Sequence, residues 1–403
     1  MSRRAATAPG AALLLVSLLV CLALAGCERG AASPGTPSAE SANGSSSQNG
    51  SSSQNGTSGP TAVPSGVAPA ARELGFAPAA LRRLARDARR AASRCLLVAR
   101  HGTVVGEWYW RGGGPDVAQE VFSVTKSVTS TLVGLAQADG DLSIDDRASR
   151  YIPQWRGTAS AGVTVRHLLS NDSGREWSVE SDYRDLLSAR DRSAYAVGLG
   201  QDAPPGTVWA YNNAAIQTLD RVLRNATGQA PGDYAQERLF GPLGMADTRM
   251  TRDSAGRSDQ VFFGMQSTCP DLARFGRLFA QRGTWEGRQV LPASWVRAAV
   301  GQPSQDLNAA YGLLWWLNRP GPVRRPLDER DPGLPPGVDS SGPLVPDAPE
   351  DAFAALGFGG QMVLVDPGSG TVVVRLGDTT ALPRSDGYSI QDAARVLTEA
   401  YRP

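Results

Sequence analysis

The stretch Val121-Phe122-Ser123-Val124-Thr125-Lys126-Ser127-Val128-Thr129-Ser130-Thr131-Leu132-Val133-Gly134-Leu135 decides how the rest of this chain is read. Its second half has the composition of a buried helix, and Asp139-Gly140 supplies a glycine stop. With Ser123 in the first turn, Ser123 and Lys126 lie three residues apart and share one helix face. The hydroxyl and the amine can then touch.

That contact has a chemical purpose, because a serine hydroxyl is a poor nucleophile until a neighbouring base takes its proton. Arginine cannot be that base; lysine can, once burial and the dipole of a helix N-terminus lower its pKa from about 10.4. Of the 40 basic residues 39 are arginine, and Lys126 is the single lysine. The chain behaves as though that one position cannot accept arginine. Serine, however, fills about one position in eleven, so Ser-x-x-Lys alone is a weak signal, and arginine usage can reflect genome composition.

Working outward, a helix is predicted over Pro78 to Ser93 from the spacing of Leu81, Leu84 and Ala88, followed by strands Cys95 to Arg100 and Thr103 to Trp110. Near the other end, strands Gln361 to Asp366 and Thr371 to Leu376 flank Pro367-Gly368-Ser369-Gly370, and a last helix covers Ser389 to Tyr401. The middle reads as mostly helical. This is an α+β fold: one antiparallel sheet formed by both chain ends, flanked by helices, with an inserted helical lobe. The histidines are only two: His101, in a hairpin turn, reads as solvated, and His167, in a helix, as a packed structural residue rather than a triad base.

The partners that Ser-x-x-Lys needs stand downstream. Tyr211-Asn212-Asn213 follows Pro205-Gly206-Thr207-Val208-Trp209-Ala210, with further motif-like stretches at Val163 to Ser170, Leu239 to Met245 and Tyr311 to Trp316. With these the chain, over nearly all of residues 75 to 403, resembles the serine β-lactamase and penicillin-binding-protein superfamily, in its class C-like esterase and 6-aminohexanoate-oligomer hydrolase branch. The resemblance implies a β-lactamase/transpeptidase-like fold, Ser123 as acylated nucleophile, Lys126 as its proton acceptor, and Tyr211 as the phenol that relays a proton to the leaving group. Asn213 would position Lys126 and substrate.

The third motif departs from that pattern. Where the superfamily usually has Lys-Thr-Gly on the strand bordering the cleft, this chain has Phe358-Gly359-Gly360 before Gln361, with no cation for a substrate carboxylate. The expectation is that the glycines let substrate approach closely and that the backbone N–H groups of Ser123 and Gln361 form an oxyanion hole. A β-lactamase or D-alanyl-D-alanine carboxypeptidase would need its cation from elsewhere, such as Arg375. Trp108, Trp110, Trp177, Tyr183, Trp315 and Trp316 are read mainly as core, with an apolar acyl pocket as the other option. The Pro-rich stretch 319–349 reads as structureless, either a lid or an insert.

The N-terminus carries Arg3-Arg4, an apolar run from Ala11 to Ala25, and Leu24-Ala25-Gly26-Cys27, which resembles a bacterial lipobox. Residues 1–27 are expected to be a lipoprotein signal with Cys27 lipidated, a plain secretory signal being the alternative. Residues 28–71, where Gly-Ser-Ser-Ser-Gln-Asn-Gly occurs twice, read as a flexible tether, and 72–403 as the folded domain. Of the remaining cysteines, Cys95 and Cys269 are expected as two buried free thiols, although export would permit a disulfide. A net charge of +1 excludes nucleic-acid binding by bulk charge.

The sequence therefore leads to an envelope-anchored serine hydrolase of small esters or amides, without metal or organic cofactor. A tethered, non-catalytic binding or sensor domain is the alternative from another class.

Overall fold

The computed structural model describes residues 65–327, 340–381 and 387–402. The expected signal with Cys27, the expected tether up to residue 64 and the centre of the Pro-rich stretch lie outside these residues. A seven-stranded antiparallel sheet is built from both ends of the described chain. Its strands are β1 (Gly66–Val67), β2 (Ser93–Arg100), β3 (Thr103–Tyr109), β4 (Trp316–Leu317), β5 (Phe353–Gly357), β6 (Gln361–Asp366) and β7 (Thr371–Gly377), in the spatial order β1-β3-β2-β7-β6-β5-β4. The first and last segments meet where β2 pairs with β7, Val98 opposite Val373.

Alternation along the strands divides the core into two layers, and both faces are covered, which is why β6 and β7 read as continuous apolar runs. Leu96, Val98, Leu364 and Val373 face helix α1 (Pro78–Arg90) with its Leu81, Leu84 and Ala88, together with the C-terminal helical segment Ile390–Ala400. Leu97, Val363, Val365, Val372 and Val374 face the opposite layer, which contains helices α2 (Val124–Asp139) and α3 (Cys269–Ala280). The helical lobe, roughly residues 144–245, packs on this second layer.

Helix α2 has no solvent face over most of its length: every residue from Val124 to Ala136 is buried. Its hydroxyls are mostly satisfied by neighbouring carbonyls, Ser127 donating to Leu314 O at 2.8 Å and Thr129 to Val261 O at 2.7 Å. Gly140, at φ 85°, ends the helix as the sequence predicts.

Three expectations change. Cys95 and Cys269 are not free thiols: they form a disulfide between β2 and the start of α3, with Cα atoms 6.6 Å apart. The physical reason is that α3 packs across the central strands, bringing together residues 174 apart in sequence. The folded part begins before residue 72, since Gly66 and Val67 pair with Glu107 and Gly106 and a helical turn follows at Pro69–Ala71. The described flanks of the Pro-rich stretch are ordered: Pro322–Val323 pairs with Ser340–Ser341, and the Asn318 carboxamide donates to Val345, Ala348 and Pro349 carbonyls.

The histidines stand as expected. His101 occupies the β2–β3 turn at φ 49°, exposed, and His167 closes a capping box with Thr164 at the start of helix Val165–Ser170.

Candidate active site

Ser123 sits on a sharp turn. Phe122 takes φ 48°, in the left-handed region that a bulky residue rarely visits, and Ser123 follows immediately as the residue that opens α2. One turn on, Lys126 Nζ donates to Ser123 Oγ at 2.8 Å and to Phe262 O at 2.9 Å. Lys126 is fully buried, and burial lowers its pKa to about 7; the Asp182 carboxylate pulls the other way. Near neutral pH the amine is therefore divided between its base form and its cation.

Tyr211 completes the set. Its phenol is close enough to Ser123 for the serine to lower its pKa against burial, and Lys126 Nζ lies 4.7 Å from its ring centre. Burial holds the phenol above its ordinary pKa, so in the resting site Tyr211 keeps its proton and is poised as an acid rather than as a phenolate. Aromatic neighbours fix the ring: Trp316 stacks on it at 5.9 Å, and Tyr311 meets it edge-on at 6.1 Å. The backbone is fixed as well, because Trp177 Nε1 donates to Tyr211 O, and Asn212 donates to the carbonyls of Arg175 and Glu176.

Asn213 opens the helix Asn213–Gln217, and its carboxamide donates to Asp182 at 2.8 Å. The same carboxylate accepts the backbone N–H groups of Asn213 and Ala214, which makes Asp182 the anchor of the Tyr-x-Asn turn. Burial, opposed by those hydrogen bonds and by Lys126, raises its pKa to about 6. Sequence reasoning missed Asp182. It stands in a polar stretch with Glu180, Asp185 and Asp191, and no spacing distinguishes it from them.

The third segment is only partly as expected. Phe358–Gly360 is the turn between β5 and β6, not part of a strand. The hairpin meets Ser123 at Gly357: a Cβ there would lie 2.4 Å from Val121 O and 3.2 Å from Ser123 N. Phe358 shares a cavity with Ser123. Gly359, Gly360 and Gln361 turn away from it. Gly359 O accepts from Arg375, Gly360 packs against the same guanidinium, and Gln361 lies buried within the sheet with its carboxamide bonded to Gly377 and Gln119. The Gln361 side chain is thus absorbed by the sheet, β6 being flanked on both sides.

Arg375 is likewise no cation of the cleft. It is buried, and its three nitrogens donate to Ser93 Oγ, Gly359 O and Ala91 O behind the hairpin.

The cavity beside Ser123 measures about 100 Å³ and has an aromatic wall: Phe122, Tyr183, Phe262, Phe263 and Phe358. Of the six aromatic residues considered from sequence, only Tyr183 lines it; Trp315 packs on Phe275 and Phe279, and Trp108 lies in the α1 layer. Arg192 also lines it, a second residue the sequence did not single out among 39 arginines. Among the described residues no cluster of three or more His, Cys, Asp or Glu side chains is placed to hold a metal ion.

Ser123 thus stands beside the buried Lys126, with Tyr211 close by, where a helix under the terminal-strand sheet begins. The Beta-lactamase family model matches residues 81–396, and the chain belongs to that family, within the serine β-lactamase and penicillin-binding-protein superfamily. It is 26% identical over 254 residues to the 6-aminohexanoate-dimer hydrolase of Paenarthrobacter ureafaciens, covering 55% of this chain and 63% of that protein. It is 33% identical over 156 residues to penicillin-binding protein 4 of Amycolatopsis lactamdurans (36% and 41% covered), and 29% identical over 192 residues to esterase EstB of Burkholderia gladioli (40% and 47%). The chain thus spans less than two-thirds of the length of these relatives. In fold it matches a D-stereospecific amidohydrolase from Streptomyces at TM-score 0.56, with 18% identity over 79% of this chain and 97% of the other.

Proposed function

We propose that the protein is a serine hydrolase that cleaves an ester or amide through a Ser123 acyl-enzyme. The observation that carries this is the 2.8 Å contact between Ser123 Oγ and a buried lysine whose pKa is brought down to about 7. Neutral Lys126 takes the Ser123 proton as Oγ attacks the carbonyl carbon. The tetrahedral oxyanion is held by Ser123 N–H and by a second N–H of the hairpin. Phe358 suits that role, since Gly357 is paired with Gln361 and the next residue along presents its amide on the other edge. Tyr211 gives its proton to the departing alcohol or amine and recovers one from the Lys126 ammonium. Water then attacks the acyl-enzyme, with the same Lys126–Tyr211 pair moving the proton.

The names of the relatives, an amide hydrolase and an esterase among them, support small esters and amides as the substrate class. The aromatic cavity supports an apolar acyl chain. Export and lipidation at Cys27 belong to the same proposal, supported by the Cys95–Cys269 disulfide, which persists in oxidising compartments. A fluorophosphonate probe should label Ser123, and p-nitrophenyl esters should turn over; both should be lost in Ser123→Ala. Labelling that survives this substitution would overturn Ser123 as the nucleophile, and a correctly folded wild type that neither labels nor turns over any ester or amide favours the tethered binding domain.

A further inference from the structure

A second cavity, of about 740 Å³, lies in the helical lobe, and it shares no lining residue with the one beside Ser123. Its rim is exposed at Pro153, Gln154 and Ala194, and its floor is buried at Tyr151, Trp155, Ser160 and Arg175. Among the described residues that line it, the charged ones are Arg175 and Arg221, and there is no Asp or Glu. Arg175 is only 4% exposed, with its guanidinium 4.4 Å from the centre of the Trp155 ring. Its terminal nitrogens donate to neutral acceptors, Ser160 Oγ at 2.5 Å, Ala196 O at 2.9 Å and Val197 O at 3.4 Å, and its Nε has no partner. The two carboxylates that act on its charge, Glu176 and Asp202, are engaged elsewhere, accepting the backbone N–H groups of Gly200 and Trp177. Arg221 has Asp191 at a long 3.5 Å, and that same oxygen also accepts from Ala194 N and Ser258 Oγ.

We propose that this groove is a second binding site, separate from the Ser123 cleft, for a small organic carboxylate with a short apolar body. A charge taken out of water without a counter-ion is costly, and an anion brought alongside it offsets that cost. Burial already pulls the Arg175 pKa down to about 10. Arg375 supplies the contrast. It too is buried among two carbonyls and a hydroxyl, but all three of its nitrogens donate, whereas Arg175 keeps an unsatisfied Nε and stands at the floor of an open space of ligand size. Guanidinium–carboxylate hydrogen bonds are charge-assisted and stronger than the neutral contacts Arg175 now makes. Above that floor Pro153, Ala194, Val197 and Leu199 give the groove an apolar wall for the rest of the ligand.

Isothermal titration calorimetry of the full-length protein with sodium hexanoate, hexanamide and sodium acetate tests the site. Hexanoate should bind saturably. Hexanamide, of the same shape without the charge, should bind at least about tenfold more weakly. Acetate, which keeps the charge and lacks the chain, should also bind at least about tenfold more weakly. Arg175→Met should abolish hexanoate binding. Should that variant fail to fold, Ala194→Glu decides, because it changes an exposed rim position and places a carboxylate that competes for the two guanidinium groups. It should weaken hexanoate by about tenfold. No saturable binding by wild type, equal binding of hexanoate and either control, or hexanoate binding that a folded Arg175→Met or Ala194→Glu leaves unchanged overturns the inference. The last of these is the result that binding in the cavity beside Ser123 would give, so the acyl-enzyme reading stands or falls separately.

Discussion

Lys126 and Arg375 are both buried basic side chains, and the molecule treats them in opposite ways. Arg375 keeps its charge and is enclosed by two carbonyls and a hydroxyl, with the Tyr388 ring 5.1 Å away. Burial lowers its pKa only to about 10, so it stays a cation at any pH the protein meets and serves to tie β5, β6 and β7 to the end of α1. Lys126 has one carbonyl and the serine hydroxyl, too little to hold a full charge in a dry site. It gives up its proton near pH 7 instead. Burial makes a strut of the base that cannot deprotonate and a reactive group of the one that can.

The comparison breaks hardest at position 126. Lys126→Arg should lower kcat by at least about a thousandfold, the scale seen when a catalytic unit loses a member, and, because it forces a permanent charge into that dry site, should also lower the melting temperature while circular dichroism still shows a folded protein. Substantial residual turnover would remove lysine from the role of base. Arg375→Met should do the reverse. It leaves the carbonyls of Ala91 and Gly359 without donors and should cost about 3 kcal/mol in denaturant unfolding, with surviving folded protein still labelled at Ser123. A variant as stable as wild type would refute the strut.

A smaller effect sharpens the electrostatics. Because the active form needs neutral Lys126, kcat/KM should rise with pH through about 7 and flatten above it. The Asp182 carboxylate favours the ammonium, so Asp182→Asn should move that limb to lower pH, by about one unit or less. A limb that stays in place or moves up would show that Asp182 acts only through the turn it anchors.

How much of this could be read from the chain divides along physical lines. Strands β2, β3, β6 and β7 were legible because runs such as Val372-Val373-Val374 are buried on both sides and bounded by turn residues. Ser123, Lys126 and Tyr211 were legible because lysine is otherwise absent and the motif spacing is local. β5 was not, since Phe353-Ala354-Ala355-Leu356 is short and lacks β-branched residues. Asp182, Arg192 and the Cys95–Cys269 bond were hidden for another reason: each depends on segments far apart in sequence meeting in space, and nothing local distinguishes Arg192 from its 38 fellow arginines.

The close fit of Gly357 against the start of α2 carries a consequence for anyone reshaping this protein. Even one methyl group there would drive against the carbonyl of Val121 and crowd the amide of Ser123, so the floor of the cleft is closed to engineering from β5. Libraries aimed at new substrates should spare that residue and vary Leu187 and Phe263, whose side chains line the cavity.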